Sequence, residues 1–196
     1  MNPNLKPFLT MAANWQFFSL LFRYPDSKVI HRTNSLCQEI LPSLQPKAYK
    51  IASILSPEQA AVYHVLIGSA GSISPYESDY QIPGQEGIHD KGAILGDVAA
   101  FYKAFRFEYA TDFQEVPDHV AVELAFLGYI KLKEAYALAI ENQEDYQICA
   151  DAEKKFLNDH LMPWLPQFLE GILNQSQDTF YQKSASLLQN FIWNCQ

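Results

Sequence analysis

Residues 117–127 read Pro117-Asp118-His119-Val120-Ala121-Val122-Glu123-Leu124-Ala125-Phe126-Leu127, and this run decides the fold class. Proline is tolerated in the first turn of a helix, where no hydrogen bond is lost, and Asp118 places an anion where the helix dipole favours one. Val120, Leu124 and Leu127 then share one face, while Val122, Phe126 and Tyr129 share the next. A helix that is apolar on two adjoining faces must be surrounded over its first three turns. After Lys131 the pattern becomes ordinary and amphipathic, and it runs out near Asn142.

Outward from that helix the chain offers only more helices. A further one is expected from near Asp145. It carries Phe156, Leu157, His160, Leu161, Trp164, Leu165, Phe168, Leu169, Ile172 and Leu173, in pairs recurring every four residues. Four residues turn an ideal helix through about 400°, so an unbroken rod would carry this stripe off the core by about 40° per step. Pro163 and Pro166 are expected to break or kink it. A last helix covers about Thr179 to Trp193. On the other side, helices are expected over Asp90 to Phe105 and Met11 to Phe22, and after Asp26. Another begins at the Ser56-Pro57-Glu58-Gln59 start signal, with Ala60, Tyr63, His64 and Ile67 on one side. Six of the eight glycines lie between Gly68 and Gly96, with Pro75 and Pro83, and mark a Gly/Pro-rich hinge over about 71–90. Inside it Ser74-Pro75-Tyr76-Glu77 repeats the cap, proline, acid pattern and predicts a short helical turn ending around Tyr80. No alternating run demands a strand. The expected architecture is all-α: a single-domain helical bundle with one helical part over about 1–70, the hinge, and a second part over about 91–196.

The composition agrees. Of 196 residues, 48% are apolar and 18% charged, which excludes a disordered or low-complexity chain. The net charge of −8 lacks the surplus of cations that phosphate binding needs, so no nucleic-acid partner is expected. The acidity is uneven, with ten acidic and three basic residues between Glu77 and Glu123, where a basic ligand would be drawn. Cys37, Cys149 and Cys195 form no CxxC pair and suit a reducing compartment, so a cytoplasmic location is expected. The most apolar N-terminal stretch is interrupted by Asn14, Gln16 and Ser19, and neither a signal peptide nor a membrane span is expected.

No phosphate-binding glycine loop, HExxH or GxSxG motif occurs. The group that stands out is Glu115, Pro117, Asp118, His119 and Glu123. His119 and Glu123 are four apart and can meet on a helix surface. Glu123 sits on an otherwise apolar helix, where desolvation would raise its pKa, and so it needs a partner. Three readings remain open. These residues tie the helix start to the hinge; or they form an acidic patch that greets a basic peptide; or Asp118, His119 and Glu123, with a distant His160, serve a metal-dependent helical hydrolase. Tyr76 and Tyr80 either plug the hinge or line it for a ligand. His160 and Trp164 share a face with Phe156 and read first as core.

Four stretches arrive in one order: Arg23-Tyr24-Pro25-Asp26, Ser74-Pro75-Tyr76-Glu77-Ser78-Asp79-Tyr80, Glu115 through Leu127, and Phe156-Leu157-Asn158-Asp159-His160-Leu161 with Trp164, Pro166 and Phe168. Together they resemble the TorD/DmsD/NarJ family of redox-enzyme maturation chaperones, over about Trp15 to Phe168. Arg106 stands where the family often has a small residue. The resemblance implies an all-helical cytoplasmic chaperone, not an enzyme, with no cofactor of its own. Its partner would be a molybdopterin oxidoreductase catalytic subunit, bound through the subunit's N-terminal twin-arginine leader, and through its body, until its cofactor is inserted. Leader recognition in the family would map onto Tyr76, Tyr80, Pro117, Asp118 and His119; the acidic-patch reading adds Glu115 and Glu123 to this peptide site, as a carboxylate-lined open mouth beside an apolar groove.

Overall fold

Helix α6 (Val120–Ala139) is the spine, and α1 (Lys6–Leu21) lies along it in the most extensive helix pairing of the chain. The computed structural model describes residues 5–68, 70–80, 90–108 and 115–195, with no side-chain description for residues 194 and 195. The crossing of α1 and α6 is set by Gly128: a Cβ there would stand 2.9 Å from Gln16 Nε2 and 3.1 Å from the Ala12 carbonyl oxygen. That close approach lets Gln16 Nε2 donate to the Ala125 carbonyl (3.0 Å) and Ser19 Oγ to that of Ala121 (2.6 Å). Polar side chains of α1 are thereby satisfied at a buried interface.

Helix α2 (Ser27–Leu36) starts where Asp26 accepts from the Val29 amide at 2.7 Å. Helix α3 (Gln45–Ala52) lacks an expectation of its own, because Pro42 and Pro46 punctuate the sequence there; the second of them sits in the helix's first turn. Helix α4 (Gln59–Leu66) follows the Ser56 signal, and Ser56 Oγ meets Gln59 Oε1 at 2.9 Å. Tyr63, Leu66 and Ile67 are buried, whereas His64 faces out, so the inward face is rotated from the expected one. Helix α5 (Lys91–Phe105) is capped by Asp90, whose carboxylate accepts from the Gly92 amide at 2.9 Å.

Helix α5 ends in a Schellman turn. The Phe107 amide reaches back to the Tyr102 carbonyl at 2.8 Å, the rings of Tyr102 and Phe107 meet edge-on at 5.0 Å, and Arg106 takes a left-handed φ of 55°. Glycine adopts that conformation without penalty; other L-residues are strained by about 1–2 kcal/mol. Arg106→Gly should therefore raise stability by about 1 kcal/mol, read as a higher urea midpoint at unchanged slope. No gain would mean that the arginine side chain compensates for its own backbone.

The long C-terminal stripe stays buried from Phe156 to Ile172, by a route other than the expected one. Helix α7 (Gln143–Phe156) passes into a wide π turn over Leu157–Leu161 and then into α8 (Met162–Gln175). A π turn holds more residues per revolution, so each residue rotates by less than 100° and the drift of the stripe is cancelled one turn before Pro163. Pro163 then falls in the first turn of α8, and Pro166 lies inside it on the exposed side. Helix α9 (Thr179–Cys195) packs back on α8 and α3. At the centre Phe126 meets Phe156, Tyr102 and Phe107 with ring centroids 4.7, 4.9 and 5.4 Å away. Phe101 and Phe105 complete its surround at 6.4 and 6.1 Å.

The fold is all-α. Among the described residues the extended pairing is the isolated bridge between Tyr76 and His119, and no helix is long and apolar enough to cross a membrane. Cys37 and Cys149 are buried free thiols. Residues 81–89 of the expected hinge, with Pro83 and His89, and the side chain of Cys195 lie outside the described residues.

Candidate functional site

Pro75 and the extended backbone of Tyr76 lay residues 75–78 against the approach to α6. The Val120 amide donates to the Pro75 carbonyl (2.8 Å), the Glu77 amide to the Asp118 carbonyl (3.0 Å), and the Ser78 amide to Asp118 Oδ2 (3.0 Å). Glu77–Asp79 then forms the expected helical turn, closed by Tyr80 OH on the Ser74 carbonyl at 2.6 Å. Ser74 and Lys91 both hold the Asp79 carboxylate. The hinge is thus stapled to α6 by hydrogen bonds.

Helix α6 begins three residues later than the Pro117 signal suggests. Its cap is His119, whose Nδ1 accepts from the Ala121 amide at 3.1 Å. Asp118 lies one residue outside the helix and serves the hinge instead of the helix dipole. Tyr102 OH donates to the Pro117 carbonyl at 2.8 Å and fixes this approach from α5. Because His119 has an extended backbone, it falls outside the helical repeat, and its side chain does not meet Glu123 as the spacing of four suggested. The imidazole instead stands edge-on to the Tyr76 ring at 5.4 Å.

Beneath the staple lies a buried polar knot. His160 Nδ1 lies 3.2 Å from both oxygens of Glu77, and Trp164 Nε1 donates to Glu123 Oε2 at 3.2 Å. Burial pushes the Glu123 carboxyl well above the usual carboxylate range, and the neighbouring Glu77 carboxyl drives it the same way. Both causes favour the protonated form of Glu123, and a hydrogen bond joins it to Glu77. The partner that Glu123 required is therefore Trp164 together with Glu77. His160 and Trp164, one turn apart in the apolar stripe, were a readable donor pair without an acceptor; their acceptors sit 83 and 41 residues away in the chain.

Three members of the expected peptide site are sealed: Asp118 is 1% exposed, and His119 and Glu123 are fully buried. The expected open trench around them is corrected, because the bridge at Tyr76 and the packing of α8 cover their side chains. Asp118 Oδ1 has no hydrogen-bond partner among the described residues. Three clefts, of about 530, 340 and 400 Å³, lie between other helices, and none of these three is lined by any of the seven expected residues. Tyr76, Tyr80, Glu115 and Pro117 are half-buried, and Val116 between the last two is 44% exposed. Tyr76 OH donates to Glu115 Oε2 at 3.3 Å. Burial, with Glu115 beside it, pushes the Tyr76 phenol up to about 12, and burial raises the Glu115 carboxyl.

The hydrolase reading finds no support. Among the described residues no three His, Cys, Asp or Glu are placed to hold a metal, and Nδ1 of His119 and of His160 is committed to the cap and to Glu77.

Burial, with the positive charge of Arg23 nearby, pushes the His119 imidazole down to about 3 from its ordinary 6.5. The folded value lies below the unfolded one, so this contribution to stability is complete above pH 6.5 and is lost as the pH falls toward 3. Between pH 7.5 and 5 the loss is about 2 kcal/mol. His119→Asn keeps an acceptor for the Ala121 amide without titrating. Urea unfolding across that range should show the wild type losing about 2 kcal/mol more than the variant. Parallel profiles would refute a neutral buried imidazole.

Comparison with known proteins gives a consistent picture. The family model described as nitrate reductase delta subunit matches residues 34–170. The chain is similar to the chlorate reductase assembly chaperone protein of Ideonella dechloratans, with 28% identity over 90% of this chain and 83% of that one. It is equally similar to the selenate reductase assembly chaperone protein of Thauera selenatis, with 28% identity over 93% and 86%. The chaperone protein TorD of Shewanella loihica is 26% identical over 94% of this chain and 78% of its own. A crystal structure from Archaeoglobus fulgidus, described as that of a redox enzyme maturation protein, shares the fold: TM-score 0.62, 21% identity, and 93% of each chain covered.

Proposed function

Because this chain belongs to the nitrate reductase delta subunit family, the family of TorD, DmsD and NarJ redox-enzyme maturation chaperones, we propose that it assists assembly of a molybdopterin oxidoreductase catalytic subunit. It is a chaperone and not an enzyme. In this reading it works in the cytoplasm, holding the subunit's N-terminal twin-arginine leader, and its body, during cofactor insertion and before export. The observation that carries the reading is the hinge stapled across the start of α6. Beside it stand the half-buried Tyr76, Glu115 and Pro117 with the exposed Val116, a carboxylate among aromatic and apolar groups, and Tyr80 follows in the same turn. A leader with a basic segment followed by an apolar one is complementary to such a surface. The buried Asp118, His119 and Glu123 take the part of positioning residues that hold this face in place.

Calorimetric titration with a twin-arginine leader peptide tests the assignment. Glu115→Lys and Tyr76→Ala should each weaken binding by at least about tenfold while the fold persists. Unchanged affinity in both would remove the site and leave family membership untouched.

A further inference from the structure

The cleft of about 530 Å³ between α3 and α9 is built unlike the hinge face. Leu173 lines it half-buried over a floor of the buried Ile51 and Leu187, and around it stand Lys47, Lys50 and Lys183. All three lysines are exposed, and none makes an ion pair among the described residues, whereas Lys91, Lys131 and Lys155 are each paired with a carboxylate. Among the described residues no acidic side chain lines the cleft. In a chain of net charge −8, this is a local reversal of sign over an apolar lining. The geometry is also directional. Lys183, Ser186, Leu187 and Asn190 fall at i, i+3, i+4 and i+7 of α9, a ridge two turns long, and Lys47 and Lys50 face it one turn apart on α3. A groove flanked by two helical ridges accepts a third helix.

We propose that this cleft docks an acidic amphipathic helix of a partner protein, its apolar stripe over Leu173 and the aliphatic stems of the three lysines and its Asp or Glu residues beside their ammonium groups. The site is separate from the hinge face, and a basic leader is the wrong charge for it. The probe is a labelled helical peptide of about fifteen residues, with leucines at i, i+3, i+4 and i+7 and flanking glutamates, titrated onto the full chain by fluorescence anisotropy. It should bind more weakly at about 200 mM than at about 50 mM salt, and at least about tenfold more tightly than the same peptide flanked by lysines. The combined Lys47→Glu, Lys50→Glu and Lys183→Glu variant should lose that preference while keeping its urea midpoint and its affinity for the leader peptide. Equal binding of the two peptides, or undiminished binding by the variant, would overturn the proposal. So would self-association of the chain that this variant abolishes, because the occupant would then be a second copy.

Discussion

Phe126→Ala is expected to cost about 3–5 kcal/mol, the range for deleting a fully buried aromatic ring. The ring is fully buried and lies among Phe101, Tyr102, Phe105, Phe107 and Phe156, which come from α5, the segment after it, and α7. Truncation would leave a cavity that five aromatic rings cannot collapse to fill, because each is held by its own backbone. Against a total stability of about 5–15 kcal/mol, that loss would lower the urea midpoint severely. Phe126→Leu, which retains most of the volume, should recover much of the difference. A deficit under about 1 kcal/mol for the alanine variant would show that these rings repack freely.

Glu77→Ala should come second, at about 2–5 kcal/mol. It strips His160 Nδ1 of its acceptor and Glu123 of its carboxyl partner, and each orphaned buried polar group costs about 1–3 kcal/mol. Glu77→Gln keeps an oxygen for His160 and should restore most of the stability. Limited proteolysis supplies a second reading, because Glu77 belongs to the turn stapled onto α6: the alanine variant should be cut near residues 74–80 before the rest of the chain unfolds. Protection equal to the wild type would mean that the backbone bonds of Glu77 and Ser78 to Asp118 suffice to hold the hinge.

The all-α class was legible because residues 117–129 are apolar on two helical faces, a pattern that only a surrounded helix satisfies. The helix starts near Asp26 and Asp90 and the turn from Ser74 to Tyr80 were legible for a local reason: each depends on residues within a few positions. The start of α6 was misplaced because Pro117 imitates a first-turn proline, while the true cap is an imidazole nitrogen, outside the usual set of capping side chains. That Tyr76 lies beside Glu115 and His119 is what the structure adds to the candidate group, and the depth of that group was not legible. Asp118 and His119 read as accessible groups, and Glu123 as one that needs a partner on an apolar helix, but their own neighbours in sequence do not bury them. Tyr76, Glu77, His160 and Trp164 do, from about 40 residues away on either side. The wide turn at Leu157–Leu161 has no residue signature beyond the stripe it corrects.

The pairing of α1 with α6 has a consequence during biosynthesis. Ser19 and Gln16 bond to carbonyls 102 and 109 residues further along. At a translation rate of roughly 5–20 residues per second, about 5–20 seconds separate the emergence of the two helices. Trp15 and Phe18, which meet the Phe191 ring, and Phe22, which meets Phe168, are buried in the finished protein and wait longer still for those partners. The nascent chain therefore passes through a sticky, half-made stage in which misassociation competes with folding.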